Sequence, residues 1–184
     1  MTISEQQIAQ YRDMGFLVLE NFASDSDCER LRARAEELVQ EFDPAEVVSI
    51  FSTREQNRVA DEYFLTSGDK IRFFFEENAF NADGTLKYEK EKSINKIGHA
   101  LHDLDPVFDR FSRNQKLKEL AMALGFRNSL LLQSMYIFKQ PNIGGEVTCH
   151  QDSTFLYTEP IDIVANYPSN NWLQRSEAMP LRGF

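Results

Sequence analysis

Polar and apolar positions alternate at helical spacing in several stretches of the chain. Cys28, Leu31, Ala35, Leu38 and Phe42 recur every three or four residues, with Glu29, Arg30, Arg32, Arg34, Glu36 and Glu37 between them. That spacing predicts an amphipathic helix opened by Ser24-Asp25-Ser26-Asp27 and ended by Asp43-Pro44, its charged face turned to solvent. Ahead of it, Ser4 and Gln7 give a capping-box signal and Gly15 a stop, so a shorter helix is expected up to Met14. A further helical region is expected from Pro106 to Phe111 and from Asn114 to Leu124, where Leu117, Leu120, Ala121 and Leu124 form the apolar stripe and Gly125 ends it.

Short dense apolar runs predict the strands. Phe16-Leu17-Val18-Leu19 reads as a buried strand, and so does Lys70 to Glu76, whose Phe73-Phe74-Phe75 is too apolar for a one-faced sheet and belongs to the core. Asn81-Ala82-Asp83-Gly84 is a turn, and residues 91–99 lead into another buried segment. From Glu46 to Ser67 the pattern is weak, with a short strand at Val47 to Phe51 followed by loop. Ser129 to Lys139 is the best strand in the chain; Pro141 to Gly145 turns it, and a strand through His150 returns. The expected fold class is α+β, with the sheet beginning only at Ser129. Residues 166–184 lack periodicity and read as a C-terminal tail to a domain over 1–165.

Composition narrows the function. A formal net charge of −9 and a pI near 4.9, with no basic block, argue against a nucleic-acid partner. The first residues lack the charged and apolar regions of a secretory leader, and no apolar run approaches the roughly 18 residues of a membrane span. A soluble, unexported protein is expected, intracellular and cytoplasmic, with Cys28 and Cys149 as reduced thiols.

The candidate chemistry lies in Gly144-Gly145-Glu146-Val147-Thr148-Cys149-His150-Gln151-Asp152. In an extended strand, residues two apart share a face, so His150 and Asp152 converge on one point. A nitrogen and an oxygen donor so placed make two thirds of the facial triad of non-haem Fe(II) oxygenases. The competing readings are a plain His–Asp hydrogen bond and a Cys149–His150 hydrolase centre, the latter disfavoured because adjacent strand residues point to opposite faces. His99 and His102 read as hydrogen-bonded members of a core or pocket wall. Lys92 and Lys96 sit in an apolar stretch, where a lysine either pairs with a carboxylate or reaches solvent.

Whole segments carry a resemblance: Ser67-Gly68-Asp69-Lys70-Ile71-Arg72-Phe73-Phe74-Phe75-Glu76, Glu91 to His102, Gln133 to Pro141, and Gly144 to Pro160 around His150-Gln151-Asp152. Together they resemble the phytanoyl-CoA dioxygenase family. The resemblance implies a double-stranded β-helix, or jelly roll, holding Fe(II) and 2-oxoglutarate, in which oxidative decarboxylation of the co-substrate is coupled to hydroxylation of a C–H bond. Carried over by position, His150 and Asp152 are iron ligands, and Lys92 and Met135 line the 2-oxoglutarate site. The substrate implied is a small molecule of the acyl-CoA type.

The sequence departs from that family in one respect. Members have a distal His and then an Arg that binds 2-oxoglutarate, but 32 residues follow Asp152 here and none is His. Arg175 and Arg182 lie outside any matching motif, and Asn171-Trp172-Leu173-Gln174 resembles the family's extreme C-terminus. These features predict a shortened product, such as alternative splicing gives, with part of the jelly roll missing and weak binding of metal and co-substrate. Three readings follow: a catalytically defective dioxygenase; a working one completed by Glu159, Asp162, His99 or a second chain; and a non-catalytic interaction module, self-associating through exposed strands.

Overall fold

A computed structural model of the chain describes residues 3–44, 50–51, 62–147, 150, 152–154, 156, 159 and 164–165. In chain order they form α1 (Glu5–Met14), α2 (Asp25–Glu41), β1 (Ile50–Phe51), α3 (Glu62–Leu65), β2 (Ile71–Glu76), β3 (Ile94–His99), α4 (Leu101–Leu104), α5 (Pro106–Ser112), α6 (Gln115–Leu124) and β4 (Ser134–Ile137). Single 3-10 turns occur at Lys90–Lys92 and Asp152–Thr154.

The longer helices begin and end where polar side chains satisfy their terminal amides. Ser4 and Gln7 close a capping box on α1, and Gly15 ends it in the left-handed conformation at φ 76°. Ser24 caps α2, Asn114 caps α6, and Gly125 stops α6 at φ 107°. Asp105 caps α5, accepting from the Val107 and Phe108 amides at 3.0 and 3.2 Å, with Pro106 in the first turn where its missing N–H costs nothing.

The sheet runs in the order β1-β2-β3-β4, parallel between β1 and β2 and antiparallel thereafter. It therefore begins well before Ser129, which corrects the expectation that the sheet begins only there. The mixed helices and strands make the fold α+β. Phe73, Phe75, Ile94 and Ile97 on one sheet face pack with Ala35, Leu38 and Val39 of α2 and Phe108 of α5 as the core. Burying each such side chain stabilises by roughly 1.5–3 kcal/mol. Phe42 stacks on Phe73 with ring centres 4.2 Å apart, fixing the end of α2 over the sheet. The expected solvated face of α2 has one exception: Arg34 Nε donates to the buried Asp105 carboxylate at 2.7 Å.

Ladder geometry explains where the strand expectations depart from the structure. Ser134 pairs with His99, the last residue of β3, and the chain then enters α4. Leu130, Leu131 and Leu132 would continue β4 past that point, have no strand to pair with among the described residues, and are 81, 44 and 50 % exposed. Phe16 to Leu19 is likewise irregular, with Val18 exposed. Among the described residues no strand passes through His150: the Gly144 amide donates to the Gln140 carbonyl at 3.1 Å and the Gly145 amide to Glu76 Oε2 at 2.9 Å, so neither serves a ladder with β4. Residues 45–49, Cys149 and the tail over 166–184 lie outside the described residues.

An irregularity in β3 shapes the other sheet face. Phe74 pairs with Lys96 but Phe75 with Ile94, leaving Asn95 as an extra residue. Such a bulge lets Ile94 and Ile97, three apart, both enter the core while Asn95 and Lys96 turn to the opposite side. Arg72, Phe74 and Glu76 share that side by strand alternation, and so do Gly98, Met135 and Ile137 through the β3–β4 register.

Candidate functional site

His150 and Asp152 come together, although not by strand alternation. Nε2 of His150 lies 3.3 Å from Oδ1 of Asp152, their side chains 52 and 32 % exposed. Asp152 opens a 3-10 turn, closed by the Leu156 amide donating to the Asp152 carbonyl at 2.7 Å. Two donors binding one ion side by side at about 2.1 Å each stand roughly 3 Å apart. The pair therefore fits a small divalent cation in spacing, donor type and access.

The other two histidines are committed elsewhere, as expected of core members. The Ser67 hydroxyl donates to the Phe64 carbonyl, so the contact of 2.6 Å to His99 Nδ1 is a ring N–H donating to Ser67 Oγ. Burial, with the Lys96 charge nearby, holds His99 down at about 4, so it is neutral near pH 7. His102 Nε2–H donates to the Leu131 carbonyl at 3.2 Å, which leaves Nδ1 to accept from Ser134 Oγ at 2.8 Å. Among the described residues no cluster of three His, Cys, Asp or Glu side chains is placed to hold a metal. Glu159 is exposed, and Asp162 lies outside the described residues.

Lys92 and Met135 occupy different surroundings. Lys92 ends the 3-10 turn before β3, 59 % exposed, and donates to Glu89 Oε2 at 2.8 Å. Met135 lies on β4 opposite Gly98; its Cγ is 3.2 Å from where a Cβ on Gly98 would sit. The lysine that shares a sheet face with Met135 is Lys96, 5 % exposed, its Nζ 5.9 and 5.8 Å from the ring centres of Phe64 and Phe74. Sequence reasoning named both lysines without separating them. The bulge separates them, and no period-two pattern announces it.

Glu76 was missed altogether. It directly continues Phe73-Phe74-Phe75, and a carboxylate at the end of so apolar a run, on the face of Phe74, was the available signal. Its side chain is 1 % exposed, with Oε2 accepting from the Gly145 amide and Oε1 buried without a hydrogen-bond partner.

The fold and site thus define an α+β protein with a mixed sheet and an accessible nitrogen–oxygen donor pair. Residues 11–173 match the family model described as phytanoyl-CoA dioxygenase (PhyH), and the chain belongs to that family. It is 50 % identical over 159 residues to a phytanoyl-CoA dioxygenase of Arabidopsis thaliana, covering 86 % of this chain and 56 % of the relative. Phytanoyl-CoA dioxygenase domain-containing protein 1 of Bos taurus is 46 % identical over 182 residues, 96 % of this chain and 61 % of its own. For the protein of the same name in Danio rerio the figures are 44 % over 186 residues, 98 % and 62 %. The chain therefore spans somewhat more than half the length of these relatives.

Proposed function

We propose that His150 and Asp152 are two ligands of an Fe(II) centre of the 2-oxoglutarate-dependent dioxygenase type. The observation that carries this reading is the accessible Nε2–Oδ1 pair at 3.3 Å in a chain of this family. Fe(II) bound there would supply oxidative decarboxylation of 2-oxoglutarate coupled to hydroxylation of a substrate C–H bond. The chain's own residues contribute the rest. Asp152 brings an oxygen donor to the cation, 3.3 Å from the imidazole nitrogen. Lys96, on the face of Met135, offers a cation to an anionic co-substrate, a role its position supports better than that of the exposed Lys92. The sheet of β2, β3 and β4 is then one wall of a jelly roll, and the name of the Arabidopsis relative points to an acyl-CoA-like substrate.

With His99 and His102 already hydrogen-bonded in the interior, these 184 residues offer one histidine to the metal. In this reading the described residues supply two ligands, a half-site expected to bind Fe(II) without sustaining turnover by itself. The test is anaerobic titration with Fe(II) and 2-oxoglutarate, followed by succinate assay in air. The expected result is metal binding lost in His150→Ala and Asp152→Ala, with no catalytic succinate release. Metal binding indifferent to both substitutions would overturn the site, and His150-dependent turnover would overturn the half-site.

A second reading is favoured by a different observation. β4 closes one edge of the described sheet, and next to it Leu130, Leu131, Leu132, Met135 and Ile137 are exposed. An interaction module that self-associates through that edge would show concentration-dependent sedimentation, abolished by charged substitutions at Leu130 and Ile137.

A further inference from the structure

Glu76 ends β2, in sequence far from the donor pair, yet one of its oxygens is spent on the segment that delivers that pair. The turn from Lys139 to Gly145 is fastened by five hydrogen bonds. The Gln140 side-chain amide donates to the Ile94 and Glu91 carbonyls at 3.0 and 2.8 Å. The Gly144 amide donates to the Gln140 carbonyl, and Lys139 Nζ donates to the Gly145 carbonyl at 3.3 Å. These four bonds tie the turn to itself, to the start of β3 and to the 3-10 turn before it. The fifth, from the Gly145 amide to Glu76 Oε2 at 2.9 Å, is the one that ties it to β2.

The surroundings are built for that approach. A Cβ on Gly145 would sit 3.4 Å from Glu76 Oε2 and 3.9 Å from Asn95 Nδ2, so the backbone lies directly against the two polar side chains. A Cβ on Gly144 would meet the Gln140 carbonyl oxygen at 2.7 Å, closer than a methyl group can come, so the tight turn requires glycine there. Gly145 is five residues before His150, a reach of at most about 17 Å. A carboxylate in the interior with only one oxygen bonded is a costly thing to keep for packing alone, since burial without a full set of donors costs a few kcal/mol.

We infer that Glu76 is a positioning residue for the candidate metal pair: its carboxylate clamps Gly145 and thereby sets where the segment carrying His150 and Asp152 leaves the sheet. The inference rests on the Fe(II) reading above for its consequence, but the clamp itself is measurable without metal. Groups hydrogen-bonded directly to metal ligands change affinity by about 10–100-fold when removed, and a clamp five residues from the ligand is expected at the lower end of that range.

The experiment uses the full chain and its Glu76→Gln, Glu76→Asp and Glu76→Ala variants. Exchange of the Gly145 amide is followed by NMR, and Co(II) is titrated anaerobically with its visible absorption as the readout. Glu76→Gln keeps an oxygen acceptor of the same reach, so it is expected to retain Gly145 protection and Co(II) affinity within about twofold of the parent. Glu76→Asp withdraws the acceptor by one methylene, and Glu76→Ala removes it. Both are expected to expose the Gly145 amide and weaken Co(II) by about tenfold or more, with an altered Co(II) spectrum. Should Glu76→Ala fail to fold, Glu76→Asp carries the comparison. Gly145 protection unchanged in the Asp or Ala variant overturns the clamp, and exposure of Gly145 with unchanged Co(II) affinity overturns its role toward the pair. A parent that binds no Co(II) through His150 counts against the Fe(II) reading alone, and the exchange measurement still decides the clamp.

Discussion

His99 shows what a buried imidazole costs in acid. Its ordinary value of 6.5 falls to about 4 in the folded protein, first because burial disfavours the cation and then because Lys96 lies close. Between those two values the unfolded chain binds the proton and the folded protein does not, so stability is lost as pH falls from about 6.5 through 4. The loss is on the order of 3 kcal/mol when complete. Replacing His99 by Gln, which can still donate to Ser67, is expected to flatten that part of the stability–pH curve, as chemical denaturation at pH 7, 5.5 and 4.5 would reveal. A slope in His99→Gln equal to that of the parent would exclude His99 as its source. At this scale the sequence was partly readable. His99 and His102 were recognisable as interior residues from their apolar neighbours, but their partners Ser67 and Ser134 are 32 residues away in each case and carry no local signal.

Secondary structure was most legible wherever a single side chain or glycine decides an end. The limits of α1, α2, α5 and α6 follow from Ser4, Ser24, Asp105, Asn114, Gly15 and Gly125, all chosen by the needs of nearby amides and carbonyls. Strands were less legible because their ends depend on a partner. β4 stops at Ser134 where β3 stops at His99, and nothing in Leu130-Leu131-Leu132 itself says so. Asp105 joins two elements at once, capping α5 and receiving Arg34 of α2 while 2 % exposed. Asp105→Ala leaves two amides and a guanidinium unserved, and a loss of about 2–4 kcal/mol is expected in urea unfolding. Asp105→Asn, which keeps the cap oxygen, should lose less. Equal losses in the two variants would show that the cap contributes little and the ion pair nearly everything.

Across the whole molecule, the family was legible from segments, whereas the site's support was not. His150 and Asp152 announced themselves by spacing, and the structure sets their side chains 3.3 Å apart, with Asp152 opening a 3-10 turn. The clamp proposed to position them joins Glu76 to Gly145, 69 residues apart, and no short window of sequence contains both. That separation has a consequence for folding. A contact between such distant residues forms only after β2, β3 and the turn have found one another, since closing so long a loop costs entropy until the sheet repays it. The unfolded chain therefore has the same two donors but no fixed relation between them and the sheet, and a divalent cation should discriminate between the two states. Such an ion acts as a native-state ligand: the thermal midpoint of the chain is expected to climb with the logarithm of free Co(II) above its Kd, and to stay level in His150→Ala. A midpoint that ignores Co(II) in the parent would mean that the pair holds metal no better folded than unfolded. With the expected climb, the proposed metal pair is a reporter of tertiary structure as much as a place for chemistry, loading only molecules in which the sheet has already formed.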